Sequence, residues 1–227
     1  MAELASDMAG SIVETAHNLA ENISSIAEAL NPYYPLQSTI EGWTENTTSV
    51  PLLLGAFFSA CAILLAATQI ISKRINPRLT TGELSAIMWF VVSGTIHIFF
   101  EGYYAIHYAT LGASQTWRGQ MWKEYAFSDS RYLTSDSFVL CMESVTAAFW
   151  GPGCLLAAAF IIYRHPMRFP TQLIVSMGQL YGLILYYATC MFEHYFQDVT
   201  YSRPEAFYFW FYFFFLNFIW MVIPGCK

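Results

Sequence analysis

A bundle of membrane-spanning helices is the predicted fold of this 227-residue chain, and three observations predict it. Hydrophobic residues make up 56% of the sequence and charged residues 11%, about half the charged share of an ordinary soluble domain. Mean hydropathy is +0.41. Five apolar stretches reach the length of about 20 residues that a helix needs to cross a bilayer. The class is therefore all-α: a polytopic membrane protein with a five-transmembrane-helix bundle and an N-terminal amphipathic helix.

Residues 1–49 read as an acidic amphipathic segment. Leu4, Met8, Ile12, Ala16, Leu19, Ile23, Ile26 and Leu30 recur three or four apart, on one helical face, until Asn31-Pro32 stops the pattern. Glu3, Asp7, Glu14, Glu21, Glu28, Glu41 and Glu45 lie here without a single Lys or Arg. The segment lacks the basic start of a signal peptide and the arginines of a transit peptide, so it is expected to be retained.

Residues 50–227 are the predicted membrane domain. Its spans run from Pro51 to Ser72, Leu84 to Ile106, Phe138 to Tyr163, Pro170 to Phe192 and Phe207 to Pro224. Lys and Arg fall in the breaks between them. Counting Lys73, Arg74, Arg78, Arg164, Arg168 and Lys227 on one side against Arg118, Lys123, Arg131 and Arg203 on the other favours a lumenal N-terminus. Asn22-Ile-Ser and Asn46-Thr-Thr are glycosylation sequons that bear on the same question. The break over residues 107–137 is too aromatic for a flexible linker and is expected to pack over one end of the bundle. Trp150-Gly-Pro152-Gly is expected to kink the third span or open room beside a pocket. Gly178 and Gly182 form a small-xxx-small pair that reads as a packing face.

The body of the chain carries no basic footprint for nucleic acid. Cys61, Cys141, Cys154, Cys190 and Cys226 have no metal-type spacing and read as free thiols. No histidine boxes, dinucleotide loop or phosphate loop occur, so neither a metal nor a cofactor is expected.

An ionised carboxylate inside a bilayer is costly, so acids retained in spans are suspected of function. His97 and Glu101 stand four apart on one face of the second span. Glu143 lies near the start of the third, with Thr146 on the same face. In the aromatic fifth span Asn217 and Trp220 stand three apart, and indole faces attract cations. The alternative for any one of these groups is helix-to-helix glue, and most of the phenylalanines are expected to pack or to face lipid. An acid, a base and an aromatic face in a hydrocarbon pocket suit one chemistry: protonating an alkene, holding the carbocation and removing a different proton.

These residues also resemble a known family. His97-x-x-x-Glu101-Gly, Trp122-Lys-Glu-Tyr-Ala with Asp129-Ser-Arg-Tyr132, Cys141-Met-Glu143-x-x-Thr146 with Trp150-Gly-Pro, His165-Pro-x-Arg168-Phe, Gly178-Gln-x-Tyr-Gly182, and Tyr208-Phe-Trp-Phe-Tyr with Asn217-x-x-Trp220 look like the emopamil-binding protein family. The resemblance covers roughly residues 31–225 and includes the EXPERA domain. Its best-known members are the 3β-hydroxysteroid Δ8-Δ7 isomerases, which implies a five-helix membrane fold and cofactor-free sterol isomerisation. It implies catalytic positions at His97, Glu101, Glu143, Asn217 and Trp220. Substrate contacts are expected from Thr146, Tyr104, Trp122, Tyr125, Tyr132, Trp150 and Tyr181.

It also implies residence in the endoplasmic reticulum membrane and inhibition by cationic amphiphilic amines that imitate the carbocation. The expected partners are a sterol or isoprenoid lipid and the bilayer, with a homodimer as the oligomeric form. Leu183 and Cys190 stand where the animal isomerases carry acidic residues. That makes the pocket more apolar and keeps open an isoprenoid or meroterpenoid cyclase using the same carbocation chemistry. A binding protein without turnover is the remaining class, and retention of His97, Glu101, Glu143, Thr146, Asn217 and Trp220 argues against it.

Overall fold

The computed structural model describes residues 13–19, 31–36 and 38–225. Five helices are long and apolar enough to cross a membrane: α1 Val50–Ile75, α2 Thr81–Thr110, α4 Ser137–Ile162, α5 Arg168–Gln197 and α6 Tyr208–Gly225. A shorter helix, α3 Trp117–Tyr125, lies between the second and third of these. Each observed span includes most of the predicted one and extends it by a turn or less at most ends. The N-terminal amphipathic pattern falls largely outside the described residues, of which 13–19 are helical.

Helix starts are written in the sequence. Pro51 occupies the first turn of α1, where its missing N–H costs nothing. Thr80 and Glu83 form a capping box on α2: the Thr80 hydroxyl accepts from Glu83 N at 3.2 Å and the Glu83 carboxylate accepts from Thr80 N at 2.9 Å. Thr116 and Asp136 are simple N-caps of α3 and α4, their side-chain oxygens accepting from Gly119 N and Val139 N. α5 stops at Asp198, whose φ of 54° takes the chain into the left-handed region.

Helices α2 and α4 share the most extensive packing in the bundle. Their approach depends on two glycines. A Cβ on Gly94 would lie 2.9 Å from the Gly151 carbonyl oxygen, and one on Gly151 would lie 2.6 Å from Ile98. α5 packs on α4 and α6, and Trp220 of α6 comes back to Trp89 of α2 at 5.3 Å between ring centroids. α1 is the least buried of the spans, with Leu53, Thr68 and Ser72 as its buried residues.

The expected cap is present. Residues 31–36 and 38–48 are tied to α3 over one end of the bundle. Tyr33 donates to the Lys123 carbonyl at 2.8 Å, and Lys123 Nζ donates to the Thr44 carbonyl at 2.8 Å. Burial pushes the Lys123 ammonium down to about 8. Asn46 Nδ2 donates to the Gln120 carbonyl at 2.9 Å, so the sequon nitrogen is committed to the cap. Asp129 and Arg131, both buried, pair at 2.7 Å. Arg131 reaches Thr189 of α5 at 3.0 Å and lies over the rings of Tyr186 and Tyr201. This knot joins the cap to α5 and sets the position of the next residue, Tyr132.

Candidate active site

Each of the three helices that carry the suspected residues changes to π-helical geometry beside them. In α2 the π turn is His97–Glu101, in α4 Thr146–Trp150 and in α6 Tyr208–Leu216. π segments are rare and cluster at functional sites. The Gly102 N–H bonds the His97 carbonyl, and the Gly151 N–H bonds the Thr146 carbonyl. The expected disturbance at Pro152 thus takes the form of an extra residue in the turn before it.

These turns face a cavity of about 770 Å³, bounded by all five spans and the cap. His97, Glu101, Trp122, Tyr125, Tyr132, Glu143, Thr146, Trp150, Asn217 and Trp220 all line it. Its remaining wall is mostly hydrocarbon, with Leu53, Leu54 and Phe57 closing the α1 side. A volume of this size holds a lipid of several fused rings.

At the polar centre, His97 Nδ1 is 2.7 Å from Glu101 Oε2. The Tyr132 hydroxyl donates to Glu143 Oε1 at 2.6 Å. Glu101 and Glu143 face the same cavity from π turns that pack on one another, Glu101 ending its turn and Glu143 lying just before the other. Burial and the neighbouring Glu143 carboxyl push the Tyr132 phenol well above its ordinary range, so it stays a donor. The Trp220 ring stands 6.2 Å from the His97 ring, and its buried indole N–H has no hydrogen-bond partner among the described residues.

Two residues expected to touch substrate, Tyr181 and Tyr104, lie off the cavity lining. Tyr181 is 65% exposed on the outer face of α5, because Gly178, Gln179 and Gly182 hold the inward positions of that turn. Tyr104 is fully buried but stands behind the wall, with its ring centroid 5.2 Å from Trp122 and 5.0 Å from Tyr132. Asn217 and Thr146 are both committed. Asn217 Nδ2 donates to the Tyr125 hydroxyl at 2.7 Å and to the Phe213 carbonyl at 2.7 Å. The Thr146 hydroxyl donates back to the Met142 carbonyl at 2.8 Å. The glycine pair divides: a Cβ on Gly178 would meet the Trp150 ring at 2.5 Å, whereas Gly182 opens onto the cavity.

Sequence reasoning passed over Gln179. Its Nε2 lies 3.0 Å from His97 Nε2 and 3.4 Å from Cys154 Sγ. With the amide nitrogen there, His97 Nε2 accepts and Nδ1–H donates to Glu101. The signal was a glutamine between Gly178 and Gly182 in an apolar span, four residues before Leu183 on the cavity wall. Glu124 was also passed over, although it too lines the cavity.

The fold and the site define a class: a multi-pass helical membrane protein whose cavity joins an acid–base cluster to aromatic walls. Residues 117–226 match the EXPERA (EXPanded EBP superfamily) family. The chain is 40% identical over 197 residues to the 3-beta-hydroxysteroid-Delta(8),Delta(7)-isomerase of Rattus norvegicus, covering 86% of this chain and 84% of that protein. Identity and coverage are the same for the Mus musculus protein of that name. Protoglabretal synthase of Citrus sinensis is 35% identical over 71% of this chain and 74% of its own length. The chain belongs to the EXPERA family.

Proposed function

We propose that this protein is an isomerase that shifts a carbon–carbon double bond in a sterol or related isoprenoid, with Glu101 and Glu143 as its proton-transfer pair. The observation that carries this reading is that Glu101 and Glu143 line one apolar, sterol-sized cavity, the first bonded to His97 and the second to Tyr132. The relatives named above supply the substrate class.

A proton carried by the pair passes to one alkene carbon, forming a C–H bond and leaving the cation on the other carbon. The Trp220 face holds that cation. The carboxylate left behind takes a proton from a neighbouring carbon, the C–H electrons form the shifted double bond, and the pair is restored with no net change. His97 moves charge on and off Glu101, and Gln179 fixes its ring. Asn217 acts through Tyr125 as a positioning residue. Trp122, Trp150 and Tyr125 shape the wall against the substrate.

The endoplasmic reticulum membrane is the site of action in this reading. Cationic amphiphilic amines inhibit by placing their charge where the carbocation forms, and the native form is a homodimer. Replacing Glu143 by Gln abolishes turnover while leaving the protein folded, as judged by detergent-solubilised size exclusion and thermal melting. Full activity in that variant overturns the assignment.

A cyclase is the second reading, favoured by Leu183, which presents an alkyl group to the cavity, and by the likeness to a protoglabretal synthase. Incubating membranes with a Δ8-sterol and, separately, with a linear prenylated substrate separates the two by product.

A further inference from the structure

The cavity contains a second polar centre that the proton-transfer chemistry leaves unused. Glu124, on α3, is 5% exposed and lines the cavity from the cap side. Tyr212 of α6, 1% exposed, donates its hydroxyl to Glu124 Oε1 at 3.0 Å. Among the described residues no other hydrogen bond reaches the Glu124 carboxyl, and no Lys or Arg pairs with it. The adjacent Lys123 is turned away to the Thr44 carbonyl, and Arg203 is bonded to Glu205. The second oxygen of that carboxyl is therefore left open to a ligand in the cavity.

The chemistry that completes it is an alcohol. A hydroxyl accepts and donates at once, and so meets both a carboxyl oxygen and a phenol. Burial raises the Glu124 carboxyl toward its protonated form, in which it too donates and accepts.

The placement fits one molecule bridging both centres. Tyr125, next to Glu124 in α3, has its ring 6.3 Å from that of Tyr212 and 5.5 Å from that of Tyr132. Tyr132 in turn holds Glu143. The two centres therefore stand on one continuous aromatic wall. In a 3-hydroxy sterol the hydroxyl stands on ring A and the Δ8 double bond at the B/C ring fusion, so rigid rings hold the two groups at a fixed separation. We infer that Glu124 and Tyr212 form a subsite for the hydroxyl group of the lipid substrate, and that this subsite sets which ring carbon faces the Glu101–Glu143 pair. The inference rests on the sterol reading above. It makes Glu124 and Tyr212 determinants of specificity, because a lipid without the hydroxyl leaves a buried carboxyl unpaired.

The test compares a Δ8-sterol bearing a free 3β-hydroxyl with its 3-deoxy analogue, on the full chain in detergent micelles. Affinity is read from quenching of tryptophan fluorescence, since Trp89, Trp122, Trp150 and Trp220 line the cavity. Wild type binds the alcohol roughly tenfold or more tightly than the deoxy analogue, the value of a hydrogen bond to a buried polar group. Glu124→Leu and Tyr212→Phe each bring that ratio to within about threefold, whereas Glu124→Gln, which keeps a donor and an acceptor, retains most of it.

Tyr212→Phe removes one oxygen, so the test survives if Glu124→Leu does not fold. Equal affinities in wild type, or an undiminished preference in Glu124→Leu or Tyr212→Phe, overturn the subsite. Turnover on the same samples separates the two readings. A hydroxyl preference without isomerised product keeps the subsite and refutes the isomerase, isomerised product with equal affinities does the reverse, and binding of neither sterol refutes both.

Discussion

The hydroxyl of Tyr132 donates a 2.6 Å hydrogen bond to Glu143, and both residues are buried. That bond links the cap to an intramembrane carboxyl, because Tyr132 follows directly on the Asp129–Arg131 ion pair that anchors the cap to α5. The cap thereby takes part in setting the charge distribution of the site.

Tyr132→Phe tests that link. The variant keeps the ring and its packing against Trp122 and loses only the donor, so folding is unchanged. A hydrogen bond to an ionised partner is worth about 1.5–3 kcal/mol, and kcat falls roughly ten- to a hundredfold. Wild-type kcat in the variant shows that Glu143 carries no developing charge.

Gln179 is expected to act through His97. Gln179→Leu removes the partner of His97 Nε2 and releases the ring to choose its other tautomer. The expected result is a loss of roughly tenfold in kcat with KM little changed, accompanied by a displaced pH–rate profile. A variant that loses thermal stability and keeps the wild-type pH profile marks Gln179 as structural.

Stability of the cap rests on its buried charges. Arg131→Met leaves the Asp129 carboxylate without its partner among groups that are themselves buried, and breaking such a pair costs about 3–5 kcal/mol. A marked drop in the melting temperature of the detergent-solubilised protein is expected. An unchanged melting temperature shows that other cap contacts suffice.

Much of this was legible in the sequence because membrane insertion writes strong signals. Twenty-residue apolar runs and the rare acids inside them announce both the spans and Glu101 and Glu143. The cap over residues 107–137 was legible from its aromatic content. What the sequence concealed depends on helical phase and on partners distant in the chain. Tyr181 and Gln179 stand two residues apart in one motif, yet α5 turns one to lipid and the other to the cavity. Tyr104 belongs with the aromatic residues in composition, and only packing places it behind Trp122 and Tyr132. The π turns have no sequence signature of their own. They arise where α2 and α4 are pressed together at Gly94 and Gly151, and where the aromatic run of α6 meets the cap. Glu124 reads as one more charge in a polar loop until α6 brings Tyr212 to it.

The proton-transfer role of the Glu101–Glu143 pair is tested most directly by isomerising a Δ8-sterol in heavy water with purified wild-type protein and locating the label by mass spectrometry and NMR. Protonation by an exchangeable carboxyl predicts one deuterium at the carbon that receives the proton and none in a parallel incubation with Glu143→Gln. Isomerised product without solvent deuterium, or equal labelling by the Glu143→Gln variant, contradicts the account.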